Sequence, residues 1–198
     1  MILYHGSSID IRDKLKPHKA FERDDYDISV YFTDEKEIAI LYSINPIRAY
    51  IKKHYGKNLM VSATSAHKMK MNGVWEVFEL YPDMFKDIFS QQSYIYSVEI
   101  ENDFMQKGEH EYVIPKEIKY KEKIVIDNLY NELIKLQEKG IVKLFSFSDL
   151  ITQKYYLEYE HIENSLKYRA QFCKSQEERD FFTMLMRYYC DINLFINK

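Results

Sequence analysis

Side chains able to do chemistry gather in three short strings of this chain. The first is Leu3-Tyr4-His5-Gly6-Ser7. The second runs from Val30-Tyr31-Phe32-Thr33-Asp34 through Ala39 to Tyr42-Ser43. The third is Glu109-His110-Glu111-Tyr112-Val113-Ile114. His5 offers an imidazole to a hydroxyl group, and Gly6 beside it lets a ligand come close to the backbone. Ser7 adds a hydroxyl or caps the turn. Tyr31 and Tyr42 offer aromatic faces to a flat cation, a contact that contributes roughly 0.5–2 kcal/mol. Glu111, opening an apolar strand, offers a carboxylate to positive charge developing on a sugar carbon. Glu109 stands two residues earlier, on the same face of an extended segment. Taken singly, each residue also fits a plainer role. The tyrosines fit core aromatics, His5 a satisfied turn histidine and Glu111 a surface strand residue.

These side chains need elements to position them. Met1–Tyr4 reads as a first or edge strand that turns at His5-Gly6. Ser29–Phe32 is β-branched and aromatic and reads as a short strand. Thr33 is then expected to cap a helix with Asp34 and Glu35 in its first turn. Ile38, Leu41 and Tyr42 fall at helical spacing, with Tyr42 in the third turn. Asn45-Pro46 opens a second helix that stops at Gly56. Residues 57–73 read as loop, and 74–81 and 82–91 as two short helices broken at Pro82. Tyr94, Tyr96, Val98 and Ile100 alternate as in a strand over 93–101. Further strands are expected at 111–114 and 118–126. Asp127 is expected to cap a helix ending at Gly140. After a short apolar run at 141–147, Ser148 opens a long helical stretch. Ser175-Gln176-Glu177-Glu178 reads as a capping box for a last helix through Phe195.

The composition sets the bounds. The chain has 198 residues, enough for one domain or one domain with an appendage. Hydrophobic residues make up 46%, enough for a sizeable core, and 18 Tyr with 12 Phe make it aromatic. A formal charge of -3, both signs interspersed, gives no global pull toward nucleic acid or anionic membrane. Lys52-Lys53-His54 and Lys68-Met69-Lys70 read as solvated faces. Cys173 and Cys190 have neither disulfide-framework nor metal-ligand spacing and read as reduced core residues. No apolar run approaches a membrane span and no signal-peptide pattern opens the chain, so a cytoplasmic protein is expected.

In this order the strings resemble the His-Tyr-Glu triad of diphtheria-toxin-like and poly(ADP-ribose)-polymerase-like ADP-ribosyltransferases. Tyr4-His5-Gly6-Ser7 is similar to the family's Tyr-His-Gly-Thr. Tyr31-Phe32-Thr33-Asp34, Ala39 and Tyr42-Ser43 match its Tyr-x-Thr-Asp, Ala and Tyr-Ser spacing, and Glu111-Tyr112-Val113 its Glu-Tyr-Ile. The resemblance implies an α+β fold: a split antiparallel β-sheet core over residues 1–126 that binds NAD. A helical C-terminal extension over 127–198 would pack on that core. It implies NAD as substrate, no metal and no membrane, with catalytic roles for Glu111, His5 and Tyr31. Cofactor contacts would come from His5, Gly6, Ser7, Tyr31, Thr33 and Tyr42. His5 would hold ribose, the Gly6 backbone would meet the carboxamide, and Tyr31 and Tyr42 would sandwich nicotinamide. Glu111 would stabilise the oxocarbenium and bond the ribose 2′-hydroxyl. Similar strings occur in rifampin ADP-ribosyltransferases and in bacterial toxins that modify DNA, so a toxin or anti-phage effector is among the implied roles.

The resemblance leaves the acceptor open: protein, nucleic acid or small molecule. Arginine-specific transferases also carry a Glu-x-Glu pair, but they begin with Arg where this chain has His5, so that specificity is not carried over. One alternative keeps the fold as an RNA 2′-phosphotransferase; the few arginines of the N-terminal part, Arg12, Arg23 and Arg48, weigh against it. Another is an inactive module that binds NAD or ADP-ribose. The C-terminal tyrosines Tyr155, Tyr156, Tyr159 and Tyr168 fit packing or a stacking surface for bases.

Overall fold

A computed structural model describes residues 1–18, 28–57, 67–69, 72–150, 164, 166–168 and 170–196, with backbone alone for 67–69 and 189–196. The acidic cluster at 24–27, Arg23, Lys70, Tyr155, Tyr156 and Tyr159 lie outside these residues, as does the side chain of Cys190. The chain is mixed α and β, with several small, mainly antiparallel sheets and helices between and after them. It forms two compact units, residues 1–44 with 90–132 and residues 45–89 with 133–198. No Pro-, Gly- or Ser-rich stretch marks the crossings at 44–45, 89–90 and 132–133.

The first unit holds all three motif strings. Strand β1 (Ile2–Ser7) pairs antiparallel with β6 (Ser93–Glu99), whose other side takes β10 (Glu122–Ile126). A second sheet runs β3 (Val30–Phe32), β8 (Tyr112–Ile114), β7 (Met105–Gln106), and a two-stranded ribbon joins β2 (Lys14–Leu15) to β9 (Ile118–Lys119). The two larger sheets meet at one bridge. Tyr4 N–H donates to the Thr33 carbonyl at 2.7 Å, and Thr33 N–H returns a bond to the Tyr4 carbonyl at 2.9 Å. Leu3, Leu15, Val30, Phe32, Tyr96, Val98, Tyr112 and Ile114 form the core between these elements. The alternation expected of 93–101 holds, since Tyr96, Val98 and Ile100 share that core. Each such buried side chain stabilises the fold by roughly 1.5–3 kcal/mol.

Several sequence expectations are corrected. β1 does not turn at His5-Gly6 but runs on to Ser7, whose Oγ accepts the Ile9 N–H at 3.0 Å. Thr33 does not cap the following helix because its backbone is committed to Tyr4. Helix α1 spans Lys36–Leu41 with Glu35 at the cap position, while Thr33 Oγ1 accepts the Glu35 N–H at 3.3 Å. Tyr42 is the residue that ends α1 rather than part of a third turn. The expected strand over 118–126 is split into β9 and β10. The Tyr120 hydroxyl, at the break, donates to the carbonyls of Ile11 and Arg12 at 3.1 and 3.0 Å. Asn128, not Asp127, caps helix α4 (Leu129–Glu138), accepting the Asn131 N–H at 2.9 Å.

In the second unit, helix α2 (Pro46–Tyr55) matches the expectation. Asn45 Oδ1 accepts the Arg48 N–H at 3.1 Å, and Gly56 closes the helix at φ 68°. Residues 74–81 are corrected from helix to strand. β5 (Trp75–Phe78) lies between β4 (His67–Met69, antiparallel) and β11 (Val142–Phe145, parallel). All four of its residues are buried, so it carries no alternation for a sequence reading to find. A short helix α3 (Met84–Asp87) follows. Ser146, not Ser148, opens helix α5 (Phe147–Leu150): its Oγ accepts the Asp149 N–H at 3.3 Å while Asp149 takes the Ser146 N–H at 2.8 Å. The last helix, α6 (Gln176–Ile196), starts at the expected cap, with the Glu178 N–H donating to Ser175 Oγ at 3.1 Å. Among the described residues no helix is long and apolar enough to cross a membrane.

Gly6 carries a tight packing constraint. A Cβ built there would lie 2.0 Å from the Ala39 carbonyl oxygen and 3.0 Å from the Ser43 Cα, both backbone atoms that cannot swing aside. Gly6→Ala is expected to destabilise the protein by about 3 kcal/mol or more, at or beyond the upper end of overpacking costs, read as a fall in the urea midpoint. An unchanged midpoint would show that α1 does not rest on β1 in this way.

Candidate functional site

The three strings converge within the first unit. His5 sits on β1 opposite Tyr96, on the face it shares with Leu3. Its ring lies edge-on to Phe32 at 5.9 Å. His5 Nδ1 is 2.8 Å from the Tyr31 carbonyl oxygen. A carbonyl only accepts, so Nδ1 carries the proton. Burial lowers the His5 pKa below its ordinary 6.5, partly offset by the bond to Tyr31, and electrostatic repulsion with nearby His18 adds to the lowering. A neutral ring protonated at Nδ1 presents Nε2 as an acceptor, which suits a sugar hydroxyl as donor.

Tyr31 is half-buried on β3, opposite Val113 of β8. Val30, Phe32, Tyr112 and Ile114 point into the core. By strand alternation Tyr31 and Val113 point to the other face. The ladder extends one residue further, with the Lys107 N–H bonded to the Glu111 carbonyl at 2.8 Å. Continued alternation puts the half-buried Glu111 on the Tyr31 face. The His18 ring lies 5.5 Å from that of Tyr31. Glu109 is exposed.

Asp34 ties the second string to the third. One of its oxygens lies 2.9 Å from His110 Nδ1, and the other accepts the Tyr112 hydroxyl at 3.1 Å. The two bonds flank Glu111 in sequence and fix the strand entry on which it sits. The hydrogen bond that His110 donates to Asp34 raises the His110 pKa, with Glu35 at 3.7 Å adding to the effect. Asp34, His110 and Tyr112 all stand inside the motif strings, but no local pattern marks them as positioning residues.

The remaining residues are placed as follows. Gly6 is pressed against the backbone of α1, so its missing side chain serves that packing. The Ser7 hydroxyl holds the turn at Ile9. Thr33 is buried at the bridge between sheets. Tyr42 is 56% exposed at the end of α1, beside Ser43, whose hydroxyl donates to the Ile40 carbonyl at 2.7 Å. Hydrogen bonds thus join His5, Tyr31 and Thr33 to one another through β1 and β3. Asp34 brings in the Glu111 segment, and Tyr42 stands at the end of α1.

A groove of about 460 Å3 lies elsewhere in this unit, lined by Ile11, Arg12, Asp13, Lys14, Lys16 and Glu117, and includes none of these residues. No family model matches this chain, and comparison with curated proteins and with solved structures finds no match.

The two histidines are expected to titrate on opposite sides of 6.5 in an NMR pH series, His5 below and His110 above. The signs follow from linkage. The stability that His110 contributes is present below pH 6.5 and lost as pH rises through its raised folded value. That associated with neutral His5 is present above 6.5 and lost as pH falls through its lowered one. Asp34→Asn is expected to return His110 toward 6.5 and leave His5 where it is. A His110 titration indifferent to that substitution would break the assignment of the clamp.

Proposed function

We propose that the chain is an NAD-dependent ADP-ribosyltransferase that cleaves the bond between ribose and nicotinamide and transfers ADP-ribose to an acceptor. The observation that carries this reading is the linkage of the three strings within one unit, through the His5–Tyr31 bond, the Tyr4–Thr33 bridge and the Asp34–His110 contact, with the His5 ring on the Phe32 side of these strands and Tyr31 on the other. Glu111 comes to the Tyr31 face through that linkage, although 80 positions separate the two in the chain.

In the proposed reaction the bond between ribose C1′ and the pyridinium nitrogen breaks. Its electron pair neutralises the ring, which leaves as nicotinamide. The acceptor's nucleophile then bonds C1′ and gives up a proton. His5, through Nε2, accepts from a ribose hydroxyl and fixes the sugar. Tyr31 and Tyr42 supply faces for the cationic ring, Tyr42 closing from its exposed position. The Glu111 carboxylate stands by the oxocarbenium charge and bonds the 2′-hydroxyl. Ser7, Thr33 and the Gly6 backbone border the dinucleotide.

A thermal melt with and without millimolar NAD tests the binding half. Ligand at 100 times its dissociation constant stabilises by about 2.7 kcal/mol, a rise of a few degrees. Tyr31→Ala is expected to remove that rise. For the chemical half, Glu111→Gln keeps shape and removes charge. Nicotinamide release measured by chromatography is expected to drop at least about a hundredfold, with NAD binding retained. Full release from the Gln variant would remove Glu111 from the reaction, and no thermal response at any NAD concentration would remove NAD.

A further inference from the structure

A groove lies beside the β2–β9 ribbon, apart from the residues of the three strings. Arg12, Lys14 and Lys16 are exposed, as is Asp13 between the first two, while Leu15 between the lysines is 1% exposed in the core. β2 itself covers only Lys14 and Leu15, with a bend at Asp13, and the three cations line the groove together with the carboxylates of Asp13 and Glu117. Across the ribbon, Lys14 stands directly opposite Lys119, which is also exposed. Like charges at such a cross-strand position cost stability. Among the described residues Arg12 and Lys119 form no ion pair. Lys14 and Lys16 share Glu117 at 3.8 and 4.0 Å, with all three side chains about half or more exposed. Pairs so long and wet contribute little, and a stronger anion displaces them. This row stands out in a chain of net charge -3.

We infer that this face binds the sugar–phosphate backbone of a single-stranded nucleic acid, one phosphate to each of Arg12, Lys14 and Lys16, with Lys119 flanking. A row of separate cations suits a chain of charges better than one small anion. An acidic peptide laid along the same segment would need a strand edge to pair with. β2 is two residues long and Pro17 follows closely, so it offers almost no ladder. Phosphate recognition needs only the charges. The Tyr120 hydroxyl, bonded to the carbonyls of Ile11 and Arg12, holds this stretch in place without ligand.

The test is fluorescence anisotropy of a labelled 12-nucleotide single strand, as RNA and as DNA, across a salt series and without NAD. Three to four phosphate contacts on a single strand give a slope of log affinity against log salt of about -2 to -3. The triple variant Arg12→Glu, Lys14→Glu, Lys16→Glu is expected to weaken binding at least about tenfold and flatten the slope. Because all three residues are exposed, its melting temperature should stay near that of the parent. Lys119→Glu is expected to weaken binding less and supports the same face if the triple variant fails to fold. Equal binding by the variants would overturn the inference. So would no binding by the parent, or displacement of the strand by polyglutamate as readily as by unlabelled strand. Nicotinamide release and NAD melts are separate readouts, so failure of the NAD reading leaves this result legible.

Discussion

The pair of backbone hydrogen bonds between Tyr4 and Thr33 is the constraint on which the first unit depends. β1 gives its other edge to β6, so this bridge is where the two main sheets join. It commits the backbone of Thr33, and the cap position of α1 falls downstream at Glu35. It also holds the β3 carbonyl of Tyr31 where His5 reaches it. Gly6 then lets the α1 backbone lie against β1, closer than any side chain would permit. A short bridge and one missing Cβ therefore fix the relative placement of strings 26 residues apart, from His5 to Tyr31.

Much of this was legible where the signal is local. Asn45-Pro46 with Gly56, the Ser175 cap and the alternation through Tyr94, Tyr96 and Val98 each announce their element within a few residues. What was not legible depends on distant partners. β5 is buried on both faces and is made a strand by β11, some 67 residues later in register, which no periodicity in 74–81 can reveal. Thr33 looks like a cap until Tyr4 claims its backbone. The bond between Asp34 and His110 spans 76 positions, and neither residue alone suggests the other. The motif residues could be named from sequence because their strings are short. The clamp that holds them could not.

The second unit shows another use of buried and half-buried acids. Glu79 accepts the Phe85 N–H through one oxygen and the Phe147 N–H through the other, at 3.1 and 2.9 Å. One carboxylate thereby satisfies the starts of two helices, α3 and α5. Asp87 accepts from Lys53, His54 and Tyr81, the last at 2.6 Å. Burial pushes the Tyr81 hydroxyl far above its ordinary pKa, and the bond to Asp87 adds to that. Both sites have the saturated bonding of structural groups, in contrast to His5, whose second nitrogen is left as an acceptor.

Tyr96 links regions that are otherwise described apart. Its ring lies 6.4 Å from that of His5. Its hydroxyl accepts the Ile11 N–H at 2.6 Å and donates to the Ile9 carbonyl at 3.2 Å. Burial raises its pKa to about 12, so the phenol keeps its proton and both bonds across the physiological range. The segment pinned by that oxygen leads straight into the cationic row at 12–16. One aromatic side chain thus touches His5 with its ring and holds the backbone at Ile9 and Ile11 with its hydroxyl. Thermodynamic reciprocity applies to any link through this side chain: if a ligand beside residues 9–11 shifts His5, a ligand held by His5 shifts that segment by the same free energy.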